Sequence, residues 1–110
     1  MKSKMGVQVG SGNVFKDLNV SQPEEMLAKA ALAAQIALAL SARGLTQGAA
    51  ATLLGIDQPK VSALLRGRLS GFSTDRLLRF LTALGRDVEI VIREKGRRSS
   101  GFGHLQVRSA

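Results

Sequence analysis

Hydrophobic and polar positions divide this 110-residue chain into four stretches of helical period, one stretch of period two, and two irregular ends. The first stretch, 23–43, is apolar almost throughout between 26 and 40, with Lys29 and Gln35 as interruptions. Ser21-Gln22-Pro23-Glu24 supplies a capping residue, a proline in the first turn and acids where the helix dipole favours them. The helix should stop at Gly44, with Arg43 at its basic end and an Ala-rich face that lets neighbours pack closely. Two short helical patterns follow at 47–54 and 58–65, separated by a turn at 55–57 and closed by Gly67. After a connector at 69–72, Ser73 or Thr74 caps a fourth helix at 75–84, ending at Gly85. Its inward side is Leu77, Leu78, Phe80, Leu81 and Leu84, while Arg76 and Arg79 are outward, where they can touch phosphate or, as the preferred reading, are simply solvated. At 87–93 the period changes. Val88, Ile90 and Ile92 alternate with Asp87, Glu89 and Arg93, which is the pattern of a strand. One strand cannot stand alone. Its partner is the N-terminal arm, the segment 105–108, or a second copy of the chain.

The stretch from Thr46 to Arg68 organises the rest. Ala51, Gly55 and Val61 fall at intervals of four and six residues. A small residue at Ala51 lets the second short helix approach the first. Gly55 turns the chain at positive φ without a Cβ clash. Val61 fills the angle between the two helices. Thr46 can accept from free amides of the first helix and Asp57 from those of the second, with Pro59 in a first turn where no donor is missed. Leu53, Leu54, Ile56, Val61, Leu64 and Leu65 form the apolar side. Pro59, Ser62, Ala63 and Arg66 lie on the other, with Gln58 at the tip. That outer face is small and polar and ends in cations, which suits a groove about 12 Å wide.

Thr46-Gln47, Ala51, Leu54-Gly55-Ile56, Gln58, Val61-Ser62, Leu64-Leu65 and Gly67 together resemble the helix-turn-helix of Xre/Cro-type, phage-repressor-like regulators. The flanks SGNVFKDLNVSQPEEMLAKA and GFSTDRLLRFLTALGRDVEIVIR resemble a narrower group, the HigA-like antitoxins, so the likeness spans roughly residues 10–93. It implies a mainly α fold, a phage-repressor-like bundle of four to five short helices containing a helix-turn-helix, with a C-terminal β-strand. It also favours a second copy as the strand's partner, giving a homodimer through Val88, Ile90 and Ile92. The domain plan is an N-terminal arm at 1–22, a DNA-binding domain with its strand at 23–93, and a basic tail at 94–110.

Composition sharpens this picture. The formal net charge is +8 and the pI about 11.2. Such a balance favours a polyanionic partner. There is no cysteine, so disulfides and thiolate chemistry are excluded, and a cytoplasmic setting fits. The run at 26–40 falls short of the ~20 residues of a bilayer span, and Glu24 and Glu25 stand where a signal peptide would carry basic residues. It reads as the helix of a soluble protein, with no membrane partner. Residues 1–12 hold Lys2, Lys4 and three glycines, the composition of a frayed terminus or of a basic arm. In 13–20, Val14, Phe15 and Leu18 are candidate core anchors. The tail, net +3 from Lys95, Arg97, Arg98 and Arg108 against Glu94, reads as a flexible tail, a second DNA-contacting arm or a toxin-facing segment.

Catalytic chemistry finds no support, and no cofactor or metal is expected. His104 is the only histidine and has no cysteine or acid at ligand spacing. Gly101-Phe102-Gly103 opens no apparent helix and lacks the Lys-Ser/Thr of a phosphate loop. The DNA-reading set is more definite. The amide of Gln58 can donate and accept in one plane, matching adenine N6 and N7, and in the resembled family this position commonly contacts a base. Gln47 begins a helix whose terminus can meet phosphate; a similar pair in phage repressors has it bracing the residue at Gln58. Pro59 departs from the polar residue often found there and offers only apolar contact to a thymine methyl, as does Ala63. Ser62 can donate to base or phosphate. Lys60, Arg66 and Arg68 suit phosphates, and Thr46 completes the set. The expectation is a sequence-specific DNA-binding repressor, acting as a homodimer on an inverted repeat of double-stranded DNA. The antitoxin likeness adds a small cognate toxin as partner and repression of its own operon. The alternative is a protein-interaction module, or a nonspecific nucleic-acid binder working through its basic tail.

Overall fold

A computed structural model describes residues 22–94 and 103–109. The expected features at 1–21, 95–102 and 110, among them the Ser21 cap and the candidate anchors at Val14, Phe15 and Leu18, lie outside the described residues. Four helices follow one another: α1 (Gln22–Ala42), α2 (Gln47–Leu54), α3 (Gln58–Leu65) and α4 (Thr74–Ala83). α1 packs against α4 and α3, α2 against α3, and α4 also against α2. The core lies where they meet. Ile36, Val61, Leu64 and Leu77 are fully buried there, with Phe72, Phe80, Leu81 and Leu84 around them. By length and composition α1 resembles a membrane span, yet its inward side, from Ala28 to Leu40, is the centre of this bundle.

The helix ends follow from local chemistry. Thr46, Ser73 and Asp57 sit in extended backbone, and each side chain accepts from the amide three residues on. Of the two candidates for the α4 cap, the cap is Ser73, bonded to the Arg76 amide at 3.1 Å. α2 stops because Gly55 takes φ +71. Its N–H then bonds the Thr52 carbonyl and the Ile56 N–H bonds that of Ala51, the paired closure that a residue past a helix end makes when it is left-handed. The other three helices close with the same pair of bonds.

Four expectations change. Leu53 and Leu65 are 39% and 40% exposed rather than buried. Each stands 100° around its helix from a buried neighbour, Leu54 or Leu64, and an eight-residue helix has only one inward stripe. Arg76 is half-buried rather than outward. Its guanidinium lies 5.3 Å from the Phe72 ring centre and 5.6 Å from that of Phe80, and Nη1 donates to the Gly71 carbonyl. Asp75, read only as the start of α4, is buried and pairs with the exposed Arg79 at 3.5 Å. Finally, no strand forms among the described residues. Residues 86–94 run without regular structure, and exposure does not alternate: Ile90 is 53%, Val91 64% and Ile92 82% exposed. The reason is physical. A strand is held by a neighbour's ladder, and 105–108, the partner available within the described chain, does not pair with it.

Segment 103–109 is instead tied to the start of α1. Glu24 accepts from the Leu105 amide at 3.3 Å, and its other oxygen lies 3.0 Å from His104 Nδ1. Val107 packs against the core. Among the described residues, one buried side-chain polar atom has no hydrogen-bond partner, Thr74 Oγ1 at the first position of α4.

Candidate nucleic-acid interface

α2 and α3 are locked at an angle by small residues. Ala50 and Ala51 are buried on α2, and Val61 is fully buried on α3. The two capped N-termini face solvent. Thr46 Oγ1 accepts from Ala49 N, and Asp57 Oδ1 from Lys60 N, both at 3.0 Å. Capping consumes one amide at each end; at α2 it leaves the other first-turn amides open to an acceptor, whereas at α3, where Pro59 has no N–H, it leaves that of Gln58.

Gln58 is exposed at the tip of α3 and reaches back over the first turn of α2. Its Oε1 lies 3.9 Å from the place a Cβ would occupy on Gly48, as does Thr46 Oγ1. The structure therefore brings Thr46, Gln47, Gly48 and Gln58 together, although Gln47 and Gln58 are eleven residues apart. The bracing hydrogen bond between their amides is not made among the described residues. Gly48 was not singled out by sequence reasoning. A signal existed, since glycine in a helix costs up to ~1 kcal/mol relative to alanine and its placement there calls for a reason.

The rest of the α3 set divides by exposure. Pro59, Lys60, Arg66 and Arg68 are exposed. Ser62 and Ala63 are half-buried, because small side chains on the shoulders of the helix sit below their longer neighbours. Asp57 is the only acid in the motif, and its carboxylate is engaged in the cap. The face thus presents one planar amide, one hydroxyl and three cations between residues 58 and 68, with Arg66 and Arg68 just past the end of α3. Phosphate neutralisation by the cations and edge-on pairing by the amide are the two contacts that duplex DNA accepts.

The family model described as a helix-turn-helix domain matches residues 14–93. The chain belongs to the helix-turn-helix regulators of the XRE type. A solved chain described as an XRE family transcriptional regulator is 46% identical over 82% of this chain and 100% of its own length, with a TM-score of 0.74. No curated protein matches. As an XRE-type helix-turn-helix protein, the chain is a DNA-binding transcriptional regulator, with α2 and α3 as its helix-turn-helix. An open hollow of about 310 Å³ lies between the α2–α3 turn and α4, lined by Ile56, Arg76, Arg79 and Phe80 among others.

Proposed function

We propose that this XRE-type regulator is a sequence-specific repressor that binds an inverted repeat as a homodimer. The observation that carries the reading is the placement of Gln58, exposed at the start of α3 and folded over the α2 N-terminus. There it reads a base while Thr46 and Gln47 meet the adjacent phosphate. Ser62, Ala63 and Pro59 contact the groove floor, and Lys60, Arg66 and Arg68 hold the backbone. Pairing of Val88, Ile90 and Ile92 with the same residues of a second copy gives the two-fold symmetry. The apolar character of 88–92 and its exposure in the single chain support that role. A cytoplasmic site of action, autoregulation of an operon and neutralisation of a small cognate toxin follow the HigA-like resemblance.

The test is fluorescence anisotropy against the chain's own upstream DNA and a scrambled duplex at two salt concentrations. Preference for the upstream DNA should survive the higher salt, and Gln58→Ala should remove about 1–3 kcal/mol of it. The second reading, nonspecific binding through the tail, is favoured by the net charge of +8. It predicts equal binding to both duplexes, steep loss with salt, and insensitivity to Gln58→Ala.

A further inference from the structure

Residues 86–94 are exposed without a break, although Val88, Ile90, Val91 and Ile92 lie among them. The charges of this segment are ordered about its centre. Counting outward from Ile90, the flanking residues are Glu89 and Val91, then Val88 and Ile92, then Asp87 and Arg93, then Arg86 and Glu94. One of these pairs is aliphatic with aliphatic, and the outer two are each of opposite charge. The ion pairs formed among the described residues involve none of those four charges.

Two identical segments running antiparallel about a two-fold axis have one residue of each on the axis. Residues equally far on either side of it then stand opposite one another. Centred on Ile90, Asp87 faces the partner's Arg93 and Arg86 faces the partner's Glu94, and each pair occurs twice. Side chains alternate between faces. Val88, Ile90 and Ile92 therefore share one face with their counterparts, bounded at both ends by Arg86 with the partner's Glu94. The neighbouring registers are poorer. Centred on Glu89, that acid faces the partner's Glu89. Centred on Val91, Glu89 gains the partner's Arg93, but Glu94 faces the partner's Val88 on the apolar face. A parallel ladder sets each charge beside its own kind. Exposed ion pairs add little affinity, whereas like charges directly opposite are destabilising. The ladder and the apolar face hold the copies together, and the charges select the register.

Resting on the homodimer reading above, we infer that 86–94 of two copies pair antiparallel in the register centred on Ile90. Asp87 with the partner's Arg93, and Arg86 with the partner's Glu94, are reciprocal clasps that select a chain carrying the same order of charges. Specificity of this kind rests on the mismatches it imposes on other partners.

The test is a reciprocal charge swap in the full chain, read by sedimentation at low salt, where exposed charges are least screened. All the sites are exposed, so the variants should keep wild-type helicity by circular dichroism. Asp87→Arg gives two like-charged pairs in its own dimer, and so does Arg93→Asp. Each should self-associate roughly tenfold more weakly than wild type. In an equimolar mixture both pairs are again opposite in charge, and dimer should return to the wild-type level. The double variant Asp87→Arg/Arg93→Asp should recover in the same way. In the register centred on Val91 the mixture keeps Glu89 of one chain against the new aspartate of the other, so recovery singles out Ile90. Ile90→Lys separates the two ways of failing. If it weakens self-association while the charge variants do not, or while neither the mixture nor the double variant recovers, the clasps are overturned and the homodimer reading stands. If Ile90→Lys and both charge variants leave self-association unchanged, or wild type is a monomer, pairing at 88–92 falls with them.

Discussion

Gly48 shows how one missing side chain shapes a reading face. The Gln58 amide occupies space above it at ordinary van der Waals distance from an added Cβ. Gly48→Ala should therefore fit and raise stability by up to ~1 kcal/mol through helix propensity. Gly48→Leu should keep the fold, since the site is at the surface, but push the amide aside and weaken operator binding toward the level of Gln58→Ala. Thermal melts beside anisotropy titrations separate the two effects. At this scale the capping residues were legible, because Thr46, Asp57 and Ser73 act on amides three positions away in sequence. Arg76 was not. Its environment is made by Phe72 and Phe80, whose rings meet edge to face at 6.1 Å only once the chain has turned, and spacing alone places an arginine in solvent.

Among the elements, the α2–α3 turn holds Gly55 at φ +71. A Cβ there would meet nothing within 4 Å, so a substitution costs only conformation. Gly55→Ala should lose about 1–2 kcal/mol of unfolding free energy, measurable by urea denaturation, with an unchanged m-value if the denatured state is unaffected. All four helices were readable to within about a residue at each described end, since glycines and caps punctuate them. The strand expected at 87–93 does not form in the single chain, for a reason that belongs to strands in general. Alternation records which faces a segment prefers, whereas the ladder that makes it a strand is supplied from elsewhere. The short helices α2 and α3 misled more gently. Their adjacent leucines all look like core, and which member of each pair turns inward depends on the helix packed against them.

For the whole molecule, the homodimer reading makes a joint prediction. Ile90→Lys should weaken self-association in sedimentation and operator affinity together, because two recognition helices about 34 Å apart act on one duplex only when held as a pair. A variant that stays dimeric and binds normally would remove 88–92 from the interface. The tie between Glu24 and the segment at His104–Leu105 was beyond the sequence, with partners 80 and 81 residues apart. So was the bareness of the outer face of α1, where Met26, Leu27 and Leu38 are exposed, since an alanine- and leucine-rich helix reads as core on every side until its neighbours are placed.

That tie at Glu24 decides where cargo can be carried. It moors the described C-terminal segment to the first turn of α1. The opposite end of the 21-residue helix, about 30 Å away by helical rise, leads directly into Thr46 and the N-terminus of α2. A fluorophore, tag or fused domain attached after residue 109 therefore sets out from the end of α1 remote from Thr46, and should leave the proposed reading face unobstructed.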